Sequence, residues 1–168
     1  MVSWLKLIFY GWDYNKYWSI RCKFYNPRTS KLRKKFYYWL ILWINRRNAA
    51  DINLGVTETD NFKGIPKCGH GIRGVVIAGG AIIGENCYIS HQVTIGRSLG
   101  EAPIIGDNVY IGPGAKIFGG IKVGNNVRIG ANCIVFEDVP DNATVVLQKP
   151  RVIIKPAGYE YYAFKKGV

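Results

Sequence analysis

Only two of the 168 residues are histidine, His70 and His91. No metal is expected, because two imidazoles without clustered thiols or carboxylates do not complete a zinc ligand set. The four cysteines, Cys22, Cys68, Cys87 and Cys133, show no C-x-x-C spacing. They read as reduced thiols, not as a disulfide framework. The longest apolar run, Phe36–Ile44, has nine residues, whereas a bilayer-spanning helix needs roughly 20. The N-terminus mixes basic and aromatic residues and lacks an apolar core with a small-residue cleavage site, so it does not read as a secretory signal. The expected location is cytoplasmic, with the inner face of the membrane as a peripheral site. Phosphate-binding loops are missing too: glycine is abundant, but neither GxxxxGK[ST] nor a GxGxxG set between a strand and a helix occurs.

Acidic residues are scarce in one place. Residues 1–50 hold eleven Lys and Arg against Asp13 alone, and the rest of the chain is nearly neutral. All five tryptophans fall in the same stretch. Asn26-Pro27 divides it into two expected helices, about 3–24 and 29–47. Two roles suit such a segment. It can cover the open end of a packed β-structure, or residues 1–47 can lie on an anionic membrane surface, with Trp and Tyr at the interface. Nucleic acid is not an expected partner, since no recognised binding motif accompanies the charge.

What is plentiful is a period of six. Ile77, Ile83, Ile89 and Ile95 form one run; Ile105, Ile111, Ile117, Val123, Ile129 and Val135 form the next. Four residues after each of these stands another small or apolar residue, such as Ala81, Cys87, Val93 or Val127. This period fits neither a helix nor a flat strand. It fits a chain that turns a corner every six residues and points one aliphatic inward each time, a hexapeptide-repeat parallel β-helix. The frequent Gly after the aliphatic (Gly84, Gly106, Gly112) is expected to serve the corners. The only longer step, Ile95 to Ile105, predicts a loop over 96–104, a place where function often sits on a rigid scaffold. The chain thus divides into a basic aromatic helical segment (1–50), a β-helix (51–155) and a tail (156–168).

Both histidines sit at or in the repeat, away from the Ile/Val phase. His70 lies among glycines in CGHGIRG, which lets a ligand or another backbone approach. Histidine is the usual general base near neutral pH.

The stretches IPKCGHGIRGVVI (65–77), IIGENCYISHQVTIG (82–96), IIGDNVYIGPGAKIFGGIKVG (104–124) and NVRIGANCIVFEDVPDNATVV (126–146) resemble the hexapeptide-repeat acyltransferases. The nearest branch is the serine O-acetyltransferase-like one that includes capsular polysaccharide O-acetyltransferases. The resemblance implies a left-handed β-helix, a homotrimer, and acetyl-CoA as donor in a groove between subunits. His70 falls on the family's catalytic histidine, a general base for the acceptor hydroxyl, and His91 matches a histidine of the HQVTIG motif. Pro113, Gly114, Ala115 and Ala131 fall on pantetheine-lining positions. Lys149 and Arg151 fall near a basic position beside the CoA phosphates.

Three departures accompany the likeness. The loop GRSLGEAPI is short and lacks the second active-site histidine of true serine acetyltransferases. Their large helical N-terminal domain shrinks here to about 50 residues. The position of the acidic partner of the catalytic histidine lands on Gly55, with Glu58 and Asp60 nearby. The leading expectation is therefore O-acetylation of a sugar hydroxyl on a surface polysaccharide or its precursor, a carbohydrate acceptor. The alternatives are a small soluble acceptor (serine, or a free or nucleotide sugar) and a non-catalytic trimeric scaffold at a membrane surface.

Overall fold

The computed structural model describes residues 14–53 and 61–157. The expected start of the first helix, the candidate carboxylates Glu58 and Asp60, Gly55 and most of the tail lie outside that range.

Among the described residues two helices come first, α1 (Tyr14–Tyr25) and α2 (Lys31–Arg47). Asn26 and Pro27 divide them as the sequence predicts. The Asn26 side chain accepts the Arg28 N–H at 2.8 Å and its carbonyl accepts the Thr29 N–H at 3.0 Å, which closes the turn. Twelve short strands follow. They are β1 (Asp51–Ile52), β2 (Val76–Ile77), β3 (Ile82–Ile83), β4 (Tyr88–Ile89), β5 (Thr94–Gly96), β6 (Ile104–Ile105), β7 (Tyr110–Ile111), β8 (Lys116–Phe118), β9 (Lys122–Val123), β10 (Arg128–Ile129), β11 (Ile134–Val135) and β12 (Thr144–Val145).

All named pairings are parallel, and they sort the strands into three sheets: β1-β2-β5-β8-β11, β12-β10-β7-β4 and β3-β6-β9. From β2 to β11 each strand therefore pairs with the third strand on, as a three-sided solenoid requires; only the end pairs β1–β2 and β10–β12 depart from this. The coil is a left-handed parallel β-helix of about four turns. Registers step by one coil: Ile104 sits on Lys122 and Tyr110 on Arg128, eighteen residues apart. Where the loop intervenes the step becomes 22, Ile82 on Ile104, and the ladder resumes in phase. In the last coil it falls to 16, Arg128 on Thr144.

The inward set is the one that the period picks out. Ile83, Ile95, Ile111, Ile117 and Ile129 are fully buried, as are Ala81, Cys87, Val93, Ala115 and Val127 at the second inward position. Their outward neighbours alternate with them, as in Ile82 beside Ile83.

The glycines behave differently from expectation. Gly84, Gly96, Gly106, Gly112, Gly124 and Gly130 are absent from the left-handed region. Asn86, Asn108, Asn126, Asn132 and Asn142 turn corners instead, at φ of 53–61°, and Gly80, Gln92 and Gly114 turn three more. Asn tolerates this conformation because its short polar side chain bonds locally. The repeat glycines answer a different need, the close approach of the next coil. A Cβ on Gly112 would stand 2.8 Å from the Ala131 nitrogen and 2.9 Å from the Gly130 carbonyl carbon, both backbone.

The helical hairpin packs on the first coil. Tyr17, Trp18 and Ile20 of α1 and Ile41 and Ile44 of α2 join the coil residues in one continuous core. Arg21 is fully buried, donates to the Asn53 carbonyl at 3.1 Å and lies 4.9 Å from the centre of the Phe62 ring. Asn45 accepts from the Tyr17 hydroxyl at 3.2 Å and donates to the Ile52 carbonyl at 3.3 Å. These buried polar contacts tie both helices to the strand that opens the solenoid.

Candidate functional site

The two histidines meet because of coil register. Lys67 bridges Tyr88 in parallel, with the Lys67 N–H on the Cys87 carbonyl at 2.8 Å and the Ile89 N–H on the Lys67 carbonyl at 2.9 Å. Three residues beyond Lys67 is His70; three beyond Tyr88 is His91. Their rings stand edge to face, with centroids 5.3 Å apart and planes at 86°. Gly69 is needed just before His70, since a Cβ there would collide with the Tyr88 hydroxyl. The hydroxyl end of Tyr88, itself stacked on Tyr110 at 5.2 Å, thus fills the space a side chain would take.

A cleft of about 590 Å³ opens at this pair, a size suited to a small ligand. Beside the histidines it is lined by Arg73, Gly74 and Gln92 of the coil and by Arg47, Asn48 and Ala49 at the end of α2. His70 is exposed and His91 half-buried. His91 Nδ1 is buried without a hydrogen-bond partner among the described residues. A buried imidazole nitrogen left unpaired costs about 1–3 kcal/mol. Next to the pair, burial pushes the Cys68 thiol up to about 12. That thiol therefore stays protonated and is a poor nucleophile.

The residues expected to line a cofactor sit mostly below His91 on one edge of the solenoid. Rungs of backbone hydrogen bonds join that edge: Gln92 N–H to the Arg73 carbonyl at 2.8 Å, Gly114 N–H to the His91 carbonyl at 3.1 Å and Asn132 N–H to the Pro113 carbonyl at 2.9 Å. Gly74, Gln92, Gly114 and Asn132 all take positive φ there. Pro113, Gly114 and Ala131 thus share a column with His91. Ala115 is different: its methyl group is fully buried in the coil core, so it offers a ligand no side chain. Lys149 and Arg151 follow the last strand, exposed and without regular structure, and no described contact brings them to the column.

Arg47 and Arg73 were not among the expected site residues. Arg73 was visible in CGHGIRG only as one more basic residue. Arg47 reaches the cleft through packing of a helix on the coil, which no local spacing reports. Among the described residues there is no group of three His, Cys, Asp or Glu side chains able to hold a metal ion. No helix among them is long and apolar enough to cross a membrane. A second cleft of about 570 Å³ lies away from the histidines, between α1 and residues 62–65.

Residues 102–137 match the model of the bacterial transferase hexapeptide family (six repeats). The chain is 46% identical over 90 residues to a serine acetyltransferase of Synechococcus elongatus, covering 51% of this chain and 36% of that protein. It is 48% identical over 77 residues to a serine acetyltransferase of Staphylococcus aureus, covering 40% and 36%. Among solved structures, soybean serine acetyltransferase superposes with a TM-score of 0.61 at 33% identity, over 80% of this chain and 54% of that one. Serine acetyltransferase isoform 3 of Entamoeba histolytica, in complex with cysteine, shares the fold with a TM-score of 0.62 at 24% identity, over 84% and 62%. The matched part spans little more than a third of the curated relatives. Repeat, coil and relatives together make this chain similar to the hexapeptide-repeat transferases and, among them, to the serine acetyltransferases.

Proposed function

We propose that this protein transfers an acetyl group from acetyl-CoA to the hydroxyl of a small soluble acceptor, with serine the first candidate. The observation that carries the reading is the edge-to-face pair His70 and His91, above a column holding Pro113 and Gly114. A surface polysaccharide, the leading expectation from sequence, gives way here, because the matched relatives bear the name serine acetyltransferase.

His70 acts as general base. It takes the proton of the acceptor hydroxyl as that oxygen attacks the thioester carbonyl. The C–O bond forms, the C–S bond breaks, and the proton held on His70 passes to the departing CoA sulfur. A backbone N–H on the column stabilises the tetrahedral oxyanion. His91 contacts the reacting groups from the wall of the cleft. Pro113, Gly114 and Ala131 line the pantetheine arm, Ala115 contributes backbone only, and Lys149 and Arg151 meet the CoA phosphates. The active unit is a homotrimer, in the cytoplasm.

The test is His70→Ala, read by thiol release from acetyl-CoA with serine as acceptor and by calorimetric titration with acetyl-CoA. A drop in kcat of about 10²–10⁴-fold with binding retained is the expected result. Wild-type turnover in the variant removes His70 from the role of base.

A second role, peripheral membrane contact, is favoured by one observation. Leu32, Phe36 and Trp39 form an exposed stripe along α2, at 80%, 58% and 60% exposure, among Lys31, Arg33, Lys34 and Lys35. Aromatic and basic residues so arranged suit an anionic lipid surface. Co-sedimentation with phosphatidylserine vesicles should fall on Phe36→Glu/Trp39→Glu replacement; unchanged sedimentation removes this role.

A further inference from the structure

We propose that the acceptor is an anion, held through its carboxylate or phosphate by Arg73 and Arg47. This deepens the transfer reading and rests on it.

Two separate elements bring Arg73 and Arg47 to the lining of one cleft. Arg73 shares a tight turn with His70. Gly71 and Gly74 take φ of 72° and 62°, the Gly71 N–H bonds the Cys68 carbonyl at 3.2 Å, and the Val75 N–H bonds the Ile72 carbonyl at 3.0 Å. Ile72 is fully buried between them. With Ile72 turned into the core, His70 and Arg73 stay on the open side of the same turn. The Arg73 carbonyl also receives the Gln92 N–H at 2.8 Å, which locks the turn onto the coil that carries His91.

Arg47 arrives from α2, as its last residue. Its guanidinium carbon lies 5.3 Å from the centre of the Trp43 ring, which steadies the side chain. The Asn48 carbonyl receives the Gly74 N–H at 2.9 Å, so the helix end is pinned beside the His70 turn.

Charge then decides what the cleft accepts. Its described lining contains two arginines, two histidines and no carboxylate. A helix C-terminus carries partial negative charge, but the last carbonyls here are taken up. Ile44 O accepts from Asn48 Nδ2 at 2.8 Å, Asn45 O from the Ala50 N–H at 2.9 Å and Arg46 O from the Ala49 N–H at 3.2 Å. The described lining of the cleft thus carries positive side-chain charge and no negative one. Arginine matches carboxylate and phosphate with paired, charge-assisted hydrogen bonds. A neutral sugar hydroxyl gains nothing from such a site, and an acceptor bearing only an ammonium group is repelled.

The experiment compares acceptors that differ in charge, using the full chain. Serine, glycerate and glycerol 3-phosphate carry the anion, on a carboxylate or on a phosphate; serinamide and glycerol do not. Wild-type protein should acetylate one or more of the first three and neither of the last two. Arg73→Gln should raise KM for the anionic acceptor about ten- to a hundredfold, leave KM for acetyl-CoA unchanged, and be partly rescued by Arg73→Lys. Arg47→Gln should act in the same direction. Equal use of glycerol or serinamide overturns the proposal. So does a rise confined to KM for acetyl-CoA, which would put the arginines on the coenzyme instead. Calorimetric titration with glycerol 3-phosphate and with glycerate separates the two layers of the argument. If nothing is acetylated but one of them binds saturably and Arg73→Gln abolishes it, the anion site stands and the transfer reading falls. If nothing is acetylated and neither binds, the anion site falls as well.

Discussion

Ile104 and Ile105 are adjacent in β6, the middle strand of its sheet, and face opposite ways. Ile105 is 1% exposed and Ile104 is 42% exposed. Cutting either to alanine removes three carbons, worth about 0.8 kcal/mol each when fully out of water, or about 2.4 kcal/mol. At Ile105 the neighbours above and below are Ile83 and Val123, held in register by parallel pairing. They cannot collapse into the gap without breaking the ladder, so a cavity penalty adds and the loss should reach about 3–5 kcal/mol. At Ile104 only about 58% of the effect applies and no enclosed cavity forms, so the loss should stay below about 1.4 kcal/mol. Urea unfolding followed by far-UV circular dichroism measures both. Running it at two protein concentrations separates a loss within the coil from one at a surface that meets another copy. Comparable losses for the two variants, independent of concentration, would refute the assignment of inward and outward faces.

Gly112→Ala should destabilise by about 1–3 kcal/mol, because the atoms in its way are backbone and cannot rotate aside. Gly96→Ala, whose added methyl would meet only side-chain atoms at 3.7 Å and beyond, should be near neutral in the same unfolding assay. Titration with a thiol reagent at pH 8 should find Cys22, which is exposed, reacting at once, and the buried Cys87 and Cys133 only on unfolding. Cys68 should join the slow group, since its thiol ionises near 12; fast labelling of a second cysteine contradicts this. The same raised thiol sets a sign for alkaline stability. Between about pH 9 and 12 the unfolded chain has lost the Cys68 proton and the folded chain has kept it, so stability falls as pH rises through that window, by up to about 1.4 kcal/mol per unit. A flat urea midpoint across pH 9–11 in wild type, or an equal decline in Cys68→Ala, counts against it.

Much of the solenoid could be read without coordinates because its signal is strictly local. An aliphatic every six residues needs only counting, and Ile77 through Val135 point inward as the count requires. The corners were misread for a reason equally local. Glycine after each aliphatic looks like a turn residue, yet its role depends on a backbone eighteen residues away. The asparagines that turn many of the corners sit two places further on, in GENC, GDNV and GNNV. The nearness of His70 to His91 could not be counted either. They are 21 residues apart, not a multiple of six, and meet only because Lys67 pairs with Tyr88. Arg47 was further out of reach, since its place depends on the docking of α2 beside Gly74.

The loop after β5 has a consequence of its own. Ser98 and Glu101 exchange two backbone hydrogen bonds, 2.9 and 3.0 Å, around Leu99 and Gly100, and Arg97 reaches the Gly100 carbonyl at 2.9 Å. The excursion satisfies itself, and the coil resumes in phase on its far side. Nothing in the core registers its length. At this one corner the scaffold can therefore gain or lose residues in the course of divergence without any change to the repeat, and a grafted peptide placed between Ser98 and Glu101 should be displayed without unfolding its host.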